Sequence, residues 1–416
     1  LLNKSNDMRT ILVIFLAIVI SSCTETKVKS INMKDDVSVL ANDSLNGRKT
    51  GSVGEKKAAE YIAKRFADLG LQPKGTDGYV QKFSYKSSKN PHKEVEFTSN
   101  KNDSTETGQN VIAYLNNNAE NTVIIGAHYD HLGMGGEGSL YREGDAIHNG
   151  ADDNASGVAM LLHLADSLQK NDAPKQNNYL FIAFSGEEEG LLGSNYFVKN
   201  PTIDTKKVTY MLNMDMVGRL NSENTLAVYG VGTSPNLKQA VNANAGQLNI
   251  VENESGVGPS DHTSFYLADI PVLHFFTGQH EDYHKPSDDT EKVNFEGMEV
   301  VSNYIFSIIK DLDNQPKLPF RKTKNESEAV PDFKVTLGVV PDYLFSGKGM
   351  RIDGVSEDRP AQKAGLQKGD IVVKMGDFEV NDMMSYMKSL SMFEKGQTAT
   401  VTIKRKEELK EVEVTF

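Results

Sequence analysis

Six short apolar runs, at 111–115, 122–127, 179–184, 207–212, 225–229 and 270–275, are the feature that most restricts how this chain can fold. Each is five or six residues long, which suits a strand. Between several of them, at 156–168, 191–198, 236–245 and 295–312, apolar residues recur every three to four positions, which suits helices. The runs are apolar at nearly every position rather than at alternate ones, as in strands covered on both faces. This alternation predicts an α/β domain of three layers, with helices on both sides of a sheet. Upstream, Ser52 and Glu55 have the spacing of a capping box. Ala59, Ile62, Ala63, Phe66 and Leu69 follow at helical spacing until Gly70, so one amphipathic helix opens the body.

The chain has 416 residues, which suggests two or three cooperative units. Acidic residues (57) exceed basic ones (45) for a net charge of -12, which argues against a nucleic-acid surface. Cys23 is the one cysteine, so no intramolecular disulfide forms and any zinc must be held by imidazole and carboxylate. Lys4 and Arg9 precede an apolar run at 11–20 that is too short to span a bilayer and suits the core of a signal peptide. Ile20-Ser21-Ser22-Cys23 resembles a bacterial lipobox, in which the cysteine is lipidated and becomes the first mature residue. The expectation is a lipid-anchored protein of the bacterial cell envelope, with a signal peptide at 1–22, Met8 as the true start and a polar tether at 23–43. Otherwise Cys23 is a small residue after an ordinary signal peptide.

In open α/β sheets ligands bind beyond the carboxyl ends of the strands. His128-Tyr129-Asp130-His131 follows the run at 122–127, Glu187-Glu188-Glu189 follows 179–184, and Asp215 follows 207–212. Asp153 lies in a turn-rich segment, 149–157, and Tyr283-His284 in a late loop. Taken singly, each of these reads more readily as a cap, a turn acid or a solvated group, and the three glutamates as a helix start favoured by the dipole. Converging on one sheet edge, they form a candidate metal site.

Together the clusters resemble peptidase family M28, zinc peptidases that include bacterial leucyl-type aminopeptidases, from about residue 46 to 310. The resemblance implies an α/β/α sandwich with a mixed central sheet over 44–312 and two zinc ions. It assigns His128 and Asp215 to one ion, Glu188 and His284 to the other, and Asp153 to both, with Glu187 as general base. Two ions need a carboxylate able to bridge them, and a bridging hydroxide whose pKa falls to roughly 7 is a competent nucleophile. Asp130 would accept the second imidazole N–H of His128, or else be a simple turn acid. Tyr283 matches a position whose hydroxyl stabilises the oxyanion, with ring packing as its alternative. The Asp153–Asn154 peptide is cis by the same resemblance. His131 and His148 match no ligand and are expected in supporting or exposed positions. Ser260-Asp261-His262 is not a catalytic triad, since consecutive residues do not generally face one another.

Charge and proline rise over 313–332, which reads as a linker. Leu337-Gly338-Val339-Val340, the 359–366 segment and Lys368-Gly369-Asp370 then resemble a small β-rich PDZ domain over 333–416. Such domains add an extended peptide as a strand and capture its carboxylate with loop amides. The expected function is an exopeptidase, an aminopeptidase acting on peptides. The competing readings are a glutaminyl-cyclase-like acyltransferase, and a non-catalytic envelope protein that binds peptides through the PDZ unit.

Overall fold

The computed structural model describes residues 32–86, 96–98, 105–136, 138–170, 173–323, 334–342, 344–345, 347–356 and 358–416. The expected signal peptide and Cys23 lie outside them. Among the described residues the larger sheet has ten strands. From one edge they run Glu96–Phe97, Val80–Lys86, Thr105–Leu115, Asn177–Phe184, Asn121–His128, Val208–Met214, Val272–Phe276, Thr225–Tyr229 and Asn249–Asn253, with Gln72–Pro73 pairing beside Thr105–Leu115. The sheet is mixed: Asn121–His128 is parallel to both neighbours, Thr105–Leu115 runs against its own, and Thr225–Tyr229 runs against Val272–Phe276 but parallel to Asn249–Asn253.

Successive residues of the central strands enter two different cores. Val123, Ile125, Phe181, Ala183 and Leu212 join one face with the helices Val53–Asp68, Gly157–Gln169 and Phe295–Leu312. Ile124, Leu180, Ile182 and Met211 join the other with Phe197 and Phe265, from Leu192–Lys199 and His262–Tyr266. Both faces are covered, so every position of Asn177–Phe184 and Val208–Met214 is buried.

Two expected boundaries move. The tether expected over 23–43 cannot extend that far, because Met33–Leu40 is a helix whose Met33, Val37 and Leu40 are buried in the main core. Asn32 caps it, accepting from Lys34 N at 3.0 Å. The linker expected over 313–332 is packed at least through residue 323. Leu318 is buried with its N–H on Thr209 Oγ1 (3.0 Å), and Arg321 N donates to Thr233 O (2.8 Å). The C-terminal region has its own six-stranded sheet, running Val339–Pro341, Met350–Val355, Ile371–Met375, Thr398–Arg405 and Glu408–Thr415, with Phe378–Glu379 pairing beside the third. Leu337, Ile352, Val372, Tyr386 and Val401 form its separate core.

Candidate active site

From the central strand Asn121–His128 the chain passes first to one neighbour, Asn177–Phe184, and then to the other, Val208–Met214. Such a reversal opens a crevice at the carboxyl ends of the strands. His128 ends the first strand, Glu187 and Glu188 lie in the loop after the second, and Asp215 directly follows the third. The turn Ala151–Ser156 contributes Asp153, and the loop after Val272–Phe276 contributes His284.

The turn is tied to its surroundings residue by residue. Asn154 donates to Met214 O (3.0 Å) and accepts from Met216 N (3.2 Å), so it grips both neighbours of Asp215. Asp288 Oδ2 accepts from the amides of Asp152 (2.9 Å) and Asp153 (3.1 Å). Asp152 in turn accepts from Gly218 N (2.6 Å). The Asp153–Asn154 peptide is cis.

The five expected ligands fall into two groups around Asp153. His128 Nε2 lies 3.2 Å from Asp215 Oδ1 and 3.4 Å from Asp153 Oδ1, while His284 Nε2 lies 3.2 Å from both Asp153 Oδ2 and Glu188 Oε2. Each oxygen of Asp153 therefore faces a different group. Both imidazoles direct Nδ1 at a backbone carbonyl, His128 at Asp130 O (3.2 Å) and His284 at Gly138 O (2.9 Å). A carbonyl can only accept, so Nδ1 carries the proton and Nε2 of a neutral ring offers a lone pair to two carboxylate oxygens. That arrangement is repulsive unless a cation stands between them. With protein groups alone, a proton serves. Burial pushes His128 down, but Asp215 and Glu187 outweigh it and raise its affinity well above the ordinary value. His284 is raised against burial by Glu188 and Asp153. Glu188 shows the converse: shielding from water pushes it up, yet His284 leads the groups that bring it down to about 2. A set of imidazole and carboxylate donors facing one another in this way fits divalent zinc.

Glu187 stands beside these donors in the cavity wall. Shielding from water raises its pKa well above the ordinary value; His128 opposes this, while Asp215, Glu188 and Asp261 add to it. The cavity holds about 540 Å³ including its mouth, and Met216, Tyr229, His274, Phe276 and Tyr283 form its less polar wall. The Tyr283 ring stacks on His284 at 3.8 Å between centroids.

Several supporting residues differ from expectation. The Asp130 carboxylate is 3.6 Å from His128 Nδ1, farther than its own carbonyl, because it is engaged by the amides of Glu187 (3.1 Å) and Glu188 (3.4 Å) and by the Thr50 hydroxyl (3.1 Å). It thus holds the loop of Glu187 and Glu188 more than the tautomer of His128. His131, expected in a supporting or exposed position, is buried, and its Nδ1 lies 2.7 Å from Glu188 Oε1 and 3.9 Å from Asp153 Oδ2, which groups it with the candidate ligands. His148 is also buried but holds a loop, bonded to Ser139 Oγ (2.8 Å) and Ala146 O (2.9 Å). Ser260 donates to Asp215 Oδ2 and accepts from Asn213 Nδ2, both at 2.8 Å, while His262 stacks on His274 at 4.4 Å, so no triad forms.

Arg48 was not singled out by sequence, although its segment was. Fully buried, it donates to the carbonyls of Tyr129 (2.7 Å), Asn149 (2.6 Å), Gly150 (3.0 Å) and Leu40, joining the loops that carry His128 and Asp153. Burial lowers its pKa to about 10, so it stays charged near neutrality. Gly47 beside it has φ 66°, and a Cβ there would meet Gly133 O at 2.4 Å, so the chains pass too closely for a side chain.

In the C-terminal region Val339 and Val340 pair with Val355 and Gly354 in a strand at the sheet edge. The Leu337 side chain is a core residue, and Gly338 N donates to Thr336 Oγ1 (3.0 Å).

Residues 110–309 match peptidase family M28, and residues 320–416 match the PDZ domain family. A probable leucine aminopeptidase of Trichophyton verrucosum (strain HKI 0517) is 34% identical over 171 residues, covering 39% of this chain and 44% of that protein. The chain spans about half the length of the curated relatives it matches. Among solved structures, the aminopeptidase from Aneurinibacillus sp. strain AM-1 superposes with a TM-score of 0.52 at 19% identity, over 71% of this chain and 96% of that one. Porphyromonas gingivalis glutaminyl cyclase gives 0.54 at 18% identity, over 68% and 98%. These two likenesses are of fold, and the fold is common to both chemistries.

Proposed function

The chain carries a domain of peptidase family M28 followed by a PDZ domain, and from that premise we propose that it is a zinc-dependent aminopeptidase removing N-terminal residues from peptides. The observation that supports this most is Asp153, whose two oxygens face two separate imidazole and carboxylate groups. His128 and Asp215 would hold one zinc, Glu188 and His284 a second, and Asp153 both. Zinc, when bound, supplies Lewis acidity that polarises a scissile carbonyl and lowers the pKa of water to roughly 7.

The chain's own residues supply the rest. Glu187, in the cavity wall beside the donors, takes a proton from the attacking water and returns it to the leaving amine. Asp130 fixes its loop through two amides. Ser260 and His131 hold the carboxylates of Asp215 and Glu188 in place. Tyr283 donates its hydroxyl to the developing oxyanion.

Hydrolysis of aminoacyl-4-nitroanilides tests the reading, with N-acetylated analogues as the control. Free amino termini are expected to be cleaved and acetylated ones spared, and Glu187→Gln is expected to lose at least about 100-fold in kcat. Turnover unchanged in that variant sinks the assignment of the base. Cyclisation of N-terminal glutamine without hydrolysis of the anilides would establish the acyltransferase instead.

A lipid anchor at Cys23 in the bacterial cell envelope is proposed on the run at 11–20 and the Ile20-Ser21-Ser22-Cys23 pattern. Metabolic labelling with a fatty-acid analogue should mark the wild type and not Cys23→Ala. Equal labelling of both would exclude the anchor at this residue.

A further inference from the structure

Strand Val272–Phe276 presents His274 and Phe276 to the cavity at alternate positions. Two residues further on is Gly278, with φ 104°, which together with Leu344 lines the neighbouring cavity. A Cβ built there would meet Leu344 Cδ1 at 2.6 Å and Cγ at 3.1 Å. Leu344 belongs to the PDZ domain, in the turn between Val339–Pro341 and Met350–Val355. It occupies the space that a side chain at 278 would fill. There it packs on the apolar cluster of Met216, Ala227, Tyr229 and Phe276, of which Met216, Tyr229 and Phe276 line the catalytic cavity.

The turn that carries Leu344 is built to hold it. Leu344 N donates to Asp342 Oδ1 (2.9 Å), and Arg351 Nε donates to Asp342 Oδ2 (2.6 Å). Asp342 N returns a bond to Arg351 O (2.8 Å), and the Arg351 guanidinium lies over the Phe345 ring at 4.8 Å.

We propose that Leu344 is a specificity-determining residue: from the PDZ domain it backs Met216, Tyr229 and Phe276, the apolar wall of the pocket that receives the side chain of the substrate's N-terminal residue, and so limits its size. The inference rests on the aminopeptidase reading. It predicts that the wall can be moved from the other domain without touching the catalytic residues.

The test is steady-state kinetics on the full chain, as wild type, Leu344→Ala and Leu344→Phe, with alanyl-, leucyl- and phenylalanyl-4-nitroanilide. Truncation of the wall should raise the ratio of kcat/KM for the phenylalanyl over the alanyl substrate by roughly 10-fold, mainly through KM, and enlargement should lower it by a similar factor. Opposite shifts are not produced by general loss of structure, and kcat on the alanyl substrate checks that the centre is intact. Ratios within about 2-fold of wild type in both variants, or moving the same way in both, overturn the proposal alone. Absence of any hydrolysis by the wild type overturns the aminopeptidase reading and this inference with it.

Discussion

Glu55 couples a helix cap to the floor of the site. Its amide donates to Ser52 Oγ (3.1 Å), as a capping box requires, but its carboxyl passes over Ser52 to the amide of Gly51 (2.9 Å). The other oxygen faces the Ser185 and Tyr129 hydroxyls, two and one residues from Glu187 and His128 in sequence. Tyr129 spends its own proton on Gln109 O (2.6 Å), so towards Glu55 it offers an acceptor, which suits a protonated carboxyl. Burial is the main cause that raises Glu55 from the ordinary 4.5 to about 7. A carboxyl whose folded pKa exceeds its unfolded value binds its proton more tightly when folded. Stability contributed by that proton is therefore complete below about 4.5 and lost as pH rises to about 7, a change on the order of 3 kcal/mol. Chemical denaturation of the wild type should show that decline across this window, and Glu55→Gln should flatten it. An identical slope in both would show that Glu55 titrates normally.

At the scale of elements, the strands were legible and their company was not. Runs such as 179–184 are apolar throughout because both faces are covered, and the structure extends that one only to Asn177–Phe184. The loops that carry the candidate donors were legible for a related reason: a strand end in an open sheet is where polar residues gather. Val80–Lys86, nearer the sheet edge, buries alternate residues in a polar sequence and gave no such signal. Met33–Leu40 was hidden by its charges. Asp36 is buried but paired with Arg65 through two bonds (2.7 and 3.0 Å), a partner 29 residues away that no local pattern identifies. The same separation concealed Arg48, whose carbonyl partners lie on three different segments. Because Val37 sits in the main core, Val37→Asp should cost about 3 kcal/mol or more, read from the midpoint of denaturant unfolding. A loss below about 0.5 kcal/mol would mean that this segment is a tether after all.

The whole molecule brings together what no single element holds. Three strand ends, one turn and one loop deliver five donors to a single crevice, and Asp153 stands between two groups of them. Leu344 of the PDZ domain packs on the apolar cluster of Met216, Ala227, Tyr229 and Phe276, three of which line that crevice. A single occupied donor group would leave the other imidazole and its carboxylates without a cation. The most direct test is the zinc content of the purified full chain by elemental analysis, after removal of loosely bound metal. Two zinc ions per chain are expected, falling in Asp153→Asn, whereas one ion per chain in the wild type would exclude the shared role of Asp153 and favour cyclase-like chemistry.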